Sequence, residues 1–515
     1  MEKNSSAINR FYKDFDAFEN ASHQYEKGEI DAGEYTGISK GFGDYLQRDN
    51  HQMLRIRVPG GRMTADMASA ILDACTYYGV DTLKISTGQA LQLHDLNPHA
   101  GRRLVLRLLD KGIVTRGSGG DNPNNITATP LSGLATEEYF DVQPYAKAAD
   151  DYLLRYIGVR PLPRKFKIGF ASFPSGEMHI TMKDIGFLAN PDHTFDVFAA
   201  GGLGIKPRVG VLVGSHVDPS EILYYLRTML DVYMENGNYN NRNKARSRFL
   251  QETMGVDGFK SAFAFHLQEV KGEGNLDLSV TEHKVAKVGE EPLPVDPRIV
   301  PQKQKGLCAV AYHPQGGYLS LERLREIMDR ISSWEEVELR LTTTGGLYIV
   351  NCTGDEARRM LELTKDGCSS DFEESISCVG HARCDIGPAD SQKLLENCLE
   401  AVKKEHFSPH TLPRMRISGC ISSCAAQQIG LIGWRGAIRK DQEGNRVDAY
   451  FFSCGGSSVP GKEKLAESKI VLLAKDIPDF LVALGRIVEQ EHIPFAEWLK
   501  DNEETLLELV KQYAV

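Results

Sequence analysis

Hydrophobic and polar positions alternate along residues 53–58, where Met-Leu-Arg-Ile-Arg-Val predicts a strand with one buried face and arginines on the other. Thr64 then precedes apolar residues at helical spacing, which predict a helix that Thr64 caps and that runs to about Tyr78. Two further strands are predicted at Thr82–Ser86 and at Leu91–His94, on either side of a turn. The pattern therefore begins with a β-α-β unit and one additional strand.

The same order of elements returns later in the chain. A strand is predicted at Leu307–Tyr312, a helix from Ser320 to Arg330, and another strand at Glu338–Thr342. The register of the repeat is 256 residues and holds over about 50 residues. It places Gly60, Gly61, Thr64 and Lys84 on Gly316, Gly317, Ser320 and Arg340. Such a repeat predicts a duplicated fold with pseudo-twofold symmetry.

The predicted organisation is α+β with α/β parts. Its divisions are a helical N-terminal arm at 1–50, half-domains at 51–113 and 305–368, and α/β domains at 114–300 and 369–515. Within the α/β domains we predict strands at Lys167–Phe173, Ile429–Trp434 and Ala449–Phe452, a helix at Ser220–Glu235, and a helical C-terminus from about Asp476 to Tyr513. The polar, proline-punctuated stretch Lys271–Gln304 is predicted to be a linker.

Composition narrows the class of protein. A chain of 515 residues that is 41% hydrophobic and 25% charged, without a long apolar run, predicts a globular protein with no membrane partner. Ten cysteines behind a polar N-terminus, Met1–Ser6, predict a reducing, cytoplasmic location. The net charge of −10 disfavours a nucleic-acid partner. Against that acidity, basic clusters at 55–62, 164–167 and 242–248 predict a local anionic ligand.

Two cysteine pairs carry the strongest chemical signal. Cys378 and Cys384 are spaced C-x5-C, and Cys420 and Cys424 are spaced C-x3-C. Four thiolates on two short loops are a ligand set for a [4Fe–4S] cluster, and the spacing differs from that of structural zinc knuckles. The alternative is that these are ordinary buried thiols.

These cysteine pairs, the duplicated segment at 53–61 and the segment Leu162–Lys167 together resemble the sulfite and nitrite reductases that contain sirohaem and a [4Fe–4S] cluster. The resemblance runs from about residue 40 to the C-terminus. It implies a duplicated sulfite-reductase-like fold, with two ferredoxin-like half-domains and two α/β cofactor-binding domains, in a ferredoxin-type haemoprotein subunit. It also implies that all four cysteines hold the cluster and that Cys424 bridges to the sirohaem iron.

The resemblance further implies residues that contact the cofactor and the substrate. Sirohaem carries eight carboxylates, whose burial requires cationic and amide partners. The implied sirohaem contacts are Arg57, Lys84, Ser86, Gln92, His94, Asn125, Arg208, Asn243, Lys244 and Arg246. Arg55, Lys165 and Lys167 match the cations that bind a small oxyanion and deliver protons. Two lysines at i and i+2 of a strand are expected to lower each other's pKa, and Lys167 favours the sulfite branch of the family.

The chain departs from the family pattern at two positions. Asn124 stands where a second substrate-binding arginine is expected, and Gly88 replaces an arginine expected to contact a sirohaem carboxylate. An asparagine cannot supply the charged, planar fork of arginine. Arg116 is a candidate substitute. The substrate prediction is therefore less constrained than the cofactor prediction.

Four functions remain open from the sequence. The first is the six-electron reduction of sulfite to sulfide, and the second is reduction of nitrite to ammonium. A diverged reductase would act on a less charged or bulkier substrate because of Asn124. An electron carrier or redox sensor without catalysis is disfavoured by the presence of Arg55, Lys165 and Lys167. Residues 199–204 lack a dinucleotide fingerprint, so we expect electrons from a separate ferredoxin or flavoprotein.

Overall fold

The structure is a computed structural model that describes residues 5–48, 50–441, 443–467 and 469–515. The first four residues of the predicted N-terminal arm, and Asp49 near its end, lie outside these ranges. The rest of the arm forms α1 (Ser5–Glu26), α2 (Ala32–Ser39) and β1 (Asp44–Leu46). Phe15 and Phe18 of α1 join the core of the first half-domain, so the arm packs against that half-domain.

The first half-domain follows the predicted order of elements. It contains β2 (Gln52–Ile56), β3 (Arg62–Met63), α3 (Ala65–Tyr77), β4 (Thr82–Ile85), β5 (Leu91–Leu96) and α4 (Pro98–Leu109). Thr64 is the N-cap of α3, and its hydroxyl accepts a hydrogen bond from the Met67 amide at 3.3 Å. The predicted helix start is therefore confirmed.

The first α/β region consists of a five-stranded sheet covered by helices. Its elements are β6 (Thr127–Ala128), α5 (Gln143–Leu153), β7 (Ile168–Ala171), β8 (Ile185–Ala189), β9 (Phe195–Ala199), β10 (Val211–Val217), α6 (Ile222–Asn236), α7 (Leu250–Thr253) and α8 (Gly255–Glu273). The strand order is β10-β9-β8-β7-β6, with β6, β7 and β8 parallel. After α8, residues 274–298 form neither helix nor strand, as their lack of periodicity predicts.

The second half-domain repeats the first. It contains β11 (Ile299–Pro301), β12 (Cys308–Tyr312), β13 (Tyr318–Ser320), α9 (Leu321–Ile331), β14 (Glu338–Leu341), β15 (Leu347–Cys352) and α10 (Gly354–Leu363). Ser320 caps α9 by accepting from the Arg323 amide at 3.0 Å, as Thr64 caps α3. The two half-domains therefore share their local helix-start chemistry as well as their order of elements.

The C-terminal region forms the fourth sheet. Its elements are β16 (Ile376–Ser377), α11 (Gly380–Arg383), α12 (Ser391–Lys403), β17 (Met415–Ser418), β18 (Ile432–Lys440), β19 (Arg446–Cys454), β20 (Val471–Leu473), α13 (Ile477–Glu491) and α14 (Phe495–Lys511). The predicted C-terminal helix is two helices, because His492 adopts a positive φ of 53° and Pro494 precedes α14. None of the helices in the described ranges is both long enough and apolar enough to cross a bilayer.

The two half-domains exchange short strands. In the first sheet β13 pairs with β4, which places Tyr318 opposite Lys84. In the other sheet β3 pairs with β14, which places Arg62 opposite Arg340. Adding 256 to Arg62 and Lys84 gives Tyr318 and Arg340, so the two pairings are equivalent under the repeat. The predicted pseudo-twofold symmetry is confirmed, and one core contains buried residues of both half-domains.

The two α/β sheets also share one topology. In each sheet the first three strands in sequence are parallel and the last two are antiparallel, and the C-terminal sheet has the order β16-β17-β18-β19-β20. The duplication therefore extends beyond the half-domains to the α/β regions, where the sequence shows no register of its own.

Candidate functional site

The four cysteines lie on loops that leave neighbouring parallel strands. β16 and β17 are paired in parallel, so Cys378, after β16, and Cys420, after β17, leave the sheet at the same edge. The Cys378 amide donates to the Ile417 carbonyl at 3.0 Å, and the Gly419 amide donates to the Cys378 Sγ at 3.2 Å. The backbone that follows β17 thus fixes the position of the Cys378 thiol.

Gly419 is required for this close approach of the two loops. A Cβ atom added at Gly419 would lie 2.7 Å from the Ala389 carbonyl oxygen and 3.6 Å from the Cys378 Sγ. The first of these distances is well inside van der Waals contact, so a side chain at this position would push the cysteine loops apart.

The thiols form one electrostatic group. Burial raises the pKa of Cys378 to about 11, and the neighbouring Cys424 adds to that shift. Burial also raises the pKa of Cys384, with smaller contributions from Cys424 and Cys420. Across the described residues no three His, Cys, Asp or Glu side chains converge on a single metal ion. Four thiols on two loops are instead the donor set of a cube, which is ligated at its four corners.

The turn at Thr87-Gly88 lies against the second cysteine loop. The Thr87 hydroxyl donates to the Cys424 carbonyl at 3.0 Å. The Asn125 amide Nδ2 donates to the carbonyls of Gly88 at 2.8 Å and Gln89 at 3.0 Å, and holds the turn in place. The Ser86 hydroxyl accepts from the Gly88 and Ala90 amides. Asn125 and Ser86, predicted as sirohaem contacts, both use their side chains to shape this turn beside Cys424.

A cationic face lies on the segment that leads into β7, in which Phe166 forms an isolated bridge with Pro123. Phe166, Ile168 and Phe170 point into the apolar core, so Lys165 and Lys167 alternate onto the opposite face. Neither ammonium group has a hydrogen-bond or ion-pair partner within the described ranges. Burial lowers the pKa of Lys165 to about 8, with Lys167, Arg246 and Arg55 adding to the effect. Burial and the charge of Arg246 also lower the pKa of Lys167.

Arg55 brings a further positive charge to the cationic face. Its Nη1 donates to the Ser118 carbonyl at 3.1 Å, and its guanidinium lies 5.2 Å from the centre of the Tyr45 ring. The Gln92 side-chain amide lies opposite Arg55 in the β2–β5 pairing, and with its oxygen assigned to the side that faces the guanidinium it accepts from the Arg55 Nη2 at 2.9 Å. Gln92 therefore orients Arg55. The Tyr45 ring also orients Arg55. The sequence did not predict this contact, because Tyr45 lies in the N-terminal arm.

Asn124 lies beside the two lysines. The backbone amide of Asn124 donates to the Phe166 carbonyl at 2.9 Å, and the preceding Pro123 forms a parallel bridge with Phe166. Arg116, the candidate substitute for the missing pocket arginine, makes its contacts elsewhere. Arg116 donates to Asp14 at 3.3 Å and to the Gly41 carbonyl at 2.8 Å, so it attaches α1 to the end of α2.

Asp184 is the carboxylate that holds the cationic face together. It accepts from the Lys167 backbone amide at 2.7 Å, from the Arg246 Nη2 at 2.7 Å, and from the Ser247 hydroxyl. Arg248 donates its Nη2 to the Ile205 carbonyl at 2.7 Å. Asp184 and Arg248 were not predicted. Arg248 lies in the basic cluster at 242–248, so that cluster was the sequence feature from which its role could have been predicted.

Three other predicted contacts surround this region. Arg57 is buried, forms an ion pair with Asp150 and donates to the Pro123 carbonyl at 2.9 Å. The Lys84 ammonium donates to the Gly316 carbonyl at 2.8 Å, and burial lowers its pKa to about 7. Burial and the nearby Arg383 lower the pKa of His94 to about 3, so His94 is a neutral imidazole at physiological pH.

The remaining predicted contacts lie at the edge of the site. Arg208 and Lys244 both approach Glu252, at 3.6 and 3.5 Å, and the Lys244 side chain is half exposed. Asn243 is exposed, and its backbone amide donates to the Asn241 side chain. The structure therefore does not bring Asn243 and Lys244 onto the cationic face. An ion pair at the surface contributes little to binding.

The unpaired donors test whether the residues fit a buried polyanion. Among the buried nitrogen atoms without a hydrogen-bond partner within the described residues, four belong to arginines in and around this region: Arg57 Nε, Arg208 Nε, Arg246 Nε and Arg248 Nη1. Buried polar groups are normally hydrogen-bonded, so this group of cationic donors fits an anionic acceptor. A polycarboxylate tetrapyrrole beside a thiolate-bound cube satisfies both the donors and the thiols.

Comparison with known proteins agrees with this site. Residues 45–108 match the model described as "Nitrite/Sulfite reductase ferredoxin-like half domain", and residues 119–271 match "Nitrite and sulphite reductase 4Fe-4S domain". The second match covers the first α/β region, whereas the four cysteines lie in its structural duplicate. This match therefore includes Lys165, Lys167 and Arg246 of the cationic face and does not include the four cysteines.

Relatives and a solved structure extend the likeness along the chain. A ferredoxin–nitrite reductase of Synechococcus elongatus is 26% identical over 83% of this chain and 84% of its own. A sulfite reductase [ferredoxin] of Mycobacterium tuberculosis is 26% identical over 92% of this chain and 87% of its own. The structure of the M. tuberculosis NirA protein has a TM-score of 0.77 at 24% identity, covering 96% of this chain and 95% of that chain, and shows the same fold.

Fold, site and comparisons together define a sirohaem- and [4Fe–4S]-dependent oxidoreductase. Models of the nitrite and sulfite reductase family match residues 45–108 and 119–271, and reductases with these activities are similar to the chain along most of its length. The four cysteines are the residues that fit the cluster, and the cationic face with its unpaired donors fits the sirohaem and a small anion.

Proposed function

We propose that this chain reduces sulfite to sulfide, with six electrons delivered one at a time. The observation that carries the proposal is the cationic face. Lys165 and Lys167 have no counter-ion in the described part of the chain, and both Arg55 and Arg246 are near enough to lower the pKa of each lysine. Such an excess of buried positive charge is stabilised when a small oxyanion binds.

The residues of this face have separable tasks. Arg55 has no carboxylate partner within the described ranges and is held by Gln92, so its guanidinium supplies fixed charge to the anion. With a pKa of about 8, the Lys165 Nζ holds a proton at neutral pH and releases it readily, which suits a general acid. When bound, sirohaem coupled to the cluster supplies the electrons. Protons reach the departing oxygens from the lysine ammonium groups, and the oxygens leave as water.

Ferredoxin is the electron donor that we favour over a flavoprotein. The support is that relatives across most of this chain carry ferredoxin in their names, among them the sulfite reductase of M. tuberculosis and the nitrite reductase of S. elongatus.

Reduction of nitrite to ammonium is the second candidate. Asn124 favours it, because the residue beside the lysine strand is an uncharged amide where a further cation would match a doubly charged anion better. Several of the related proteins are ferredoxin–nitrite reductases, including that of Spinacia oleracea.

The test is a direct comparison of the two anions. The protein is purified without oxygen, its sirohaem absorption is recorded, and reduced ferredoxin is supplied with sulfite or nitrite. Sulfide and ammonium are then measured separately. A higher kcat/KM for sulfite supports the proposal, and a higher kcat/KM for nitrite supports the second candidate. Normal cofactor spectra that respond to neither anion would refute both.

A further inference from the structure

Lys183 is a third lysine on the cationic face, outside the basic clusters of the sequence. It follows a short 3-10 turn, Ile180–Met182, just ahead of β8. Its stem crosses β7 at Gly169, where an added Cβ atom would lie 3.0 Å from the Lys183 Cε. Gly169 continues the alternation of Lys165 and Lys167 onto the same face. The missing side chain at Gly169 therefore leaves the space that the Lys183 side chain occupies.

The charge of Lys183 is uncompensated. In the described part of the chain its ammonium has no hydrogen-bond or ion-pair partner, whereas the neighbouring Asp184 carboxylate accepts from Lys167, Arg246 and Ser247. The charged groups that face Lys183 are Lys167 and Asp184, and the His179 imidazole is neutral because burial lowers its pKa well below the usual value. A buried ammonium beside a second lysine, with the one nearby carboxylate already bound to other donors, is best stabilised by an additional anion.

We propose that Lys183 is a charge-specificity residue of the anion site, and that it favours a doubly charged oxyanion over a singly charged one. The inference rests on the proposed function, because sulfite and nitrite differ in charge. The Coulomb energy between Lys183 and an anion is proportional to the charge of the anion. Removal of the Lys183 charge is therefore expected to weaken the binding of sulfite by a larger factor than the binding of nitrite.

Anion binding is also expected to place a proton on Lys183. Burial and the charge of Lys167 lower the pKa of Lys183 to about 7, so a large part of the free protein carries a neutral amine at neutral pH. A bound anion raises that pKa, and the protein takes up protons between the free and the bound value. Lys165 contributes in the same way at somewhat higher pH.

Three variants separate the charge of Lys183 from its packing. Lys183→Met keeps the stem over Gly169 and removes the charge, and Lys183→Arg keeps a charge that does not titrate in this range. Lys271→Met is the matched control, because Lys271 lies at the surface in an ion pair with Glu221. Where Lys183→Met does not load its cofactors, Lys183→Gln is measured in its place.

The measurements are dissociation constants of sulfite and nitrite for the holoprotein at about pH 8, with proton uptake determined by calorimetry in two buffers. Because Lys183 is mostly neutral in the free protein at this pH and part of the Coulomb energy is used to protonate it, we expect Lys183→Met to bind nitrite about 2-fold and sulfite about 10-fold more weakly. Lys183→Arg should restore both affinities and reduce proton uptake, and Lys271→Met should match the wild type. Equal losses for the two anions, no loss, or failure of arginine to restore binding would overturn the role of Lys183.

The two proposals fail in different ways. A wild-type protein that binds and reduces sulfite, together with an unchanged affinity ratio in Lys183→Met, would reject the role of Lys183 and leave the proposed function intact. A wild-type protein that binds neither anion would reject the proposed function and, with it, the inference.

Discussion

Lys165 shows how a single residue acquires its chemistry from its surroundings. It lies in the segment that leads into β7, opposite the apolar side chains of Phe166 and Ile168, and the nearby Lys167, Arg246 and Arg55 add positive charge. Burial and these charges lower the pKa of Lys165 to about 8. In the unfolded chain it would be an ordinary, strongly basic lysine.

At this scale we predict the effect of removing the Lys165 ammonium. Lys165→Met should lower kcat by about 10²–10⁴-fold while both cofactors remain bound, because a general acid is lost and no cofactor ligand changes. The matched control is Lys147→Met, at an exposed lysine paired with Asp151. A Lys165→Met variant with wild-type kcat would contradict the assignment.

The pH dependence follows from the same pKa. A general acid works in its protonated form, so wild-type kcat/KM should fall as the pH rises through about 8, where Lys165 loses its proton. Lys165→Arg retains its proton over this range and should lose that falling limb. The two pH profiles of kcat/KM provide the measurement, and identical profiles would exclude Lys165 as the titrating group.

At the scale of elements, the cluster site depends on two loops that leave parallel neighbours. Cys378 follows β16 and Cys420 follows β17, so the sheet brings together thiols that are far apart in sequence. The four cysteines could be predicted as a ligand set from their spacing. Their common edge could not, because strand pairing is decided by tertiary contacts.

Cys424→Ser should remove the cluster and, with it, the coupling to sirohaem, because the resemblance implies that this thiolate would be both a cluster ligand and the bridge to the haem iron. Iron and acid-labile sulfide should fall together, and the haem absorption should change. Cys454→Ser is the control, at a partly buried thiol outside the two loops. A normal haem spectrum in Cys424→Ser would refute the bridge.

Gly419→Ala tests the close approach of the loops. The new Cβ atom would lie 2.7 Å from the Ala389 carbonyl oxygen, so the loops must separate and iron content should fall although every thiol is retained. Gly37→Ala, in α2 with nothing within 4 Å of the added atom, should keep its iron. Full iron content in Gly419→Ala would show that the loops can adjust.

At the scale of the whole molecule, the exchange of β3 and β13 joins the two half-domains into one core. Leu339 is fully buried in that core and lies opposite Met63 of the first half-domain. Loss of its side chain therefore affects both half-domains.

The domain limits read from the sequence stay predictions. β11 joins the second half-domain sheet from residue 299, ahead of the predicted start at 305.

Leu339→Ala should lower the free energy of unfolding by about 2–5 kcal/mol, the usual cost of a large-to-small change in a packed core. Hydrogen exchange measured by mass spectrometry should become faster in β2 and β5 as well as in β12 and β15. Val256→Ala, at an exposed position of α8, should leave both unchanged. Faster exchange confined to β12 and β15 would show that the half-domains unfold independently.

The sequence by itself determined the local elements, the duplication and the residue types of the site. Alternating and helical hydrophobic periods, cap residues such as Thr64 and Ser320, and the spacing of the cysteines are all local signals. They were sufficient to predict the half-domains, whereas the ligand set of the cluster and the roles of Lys165 and Lys167 came from the resemblance to the reductase family and stay predictions.

Only the tertiary structure decided which strands pair and which charges remain uncompensated. It exchanged β3 and β13, assigned Arg116 to α1 instead of the anion site, and brought Lys183 across Gly169 to the cationic face. These outcomes depend on contacts between residues distant in sequence, and the pKa of a lysine depends on burial and on neighbours that such contacts assemble. A local pattern contains no information about either.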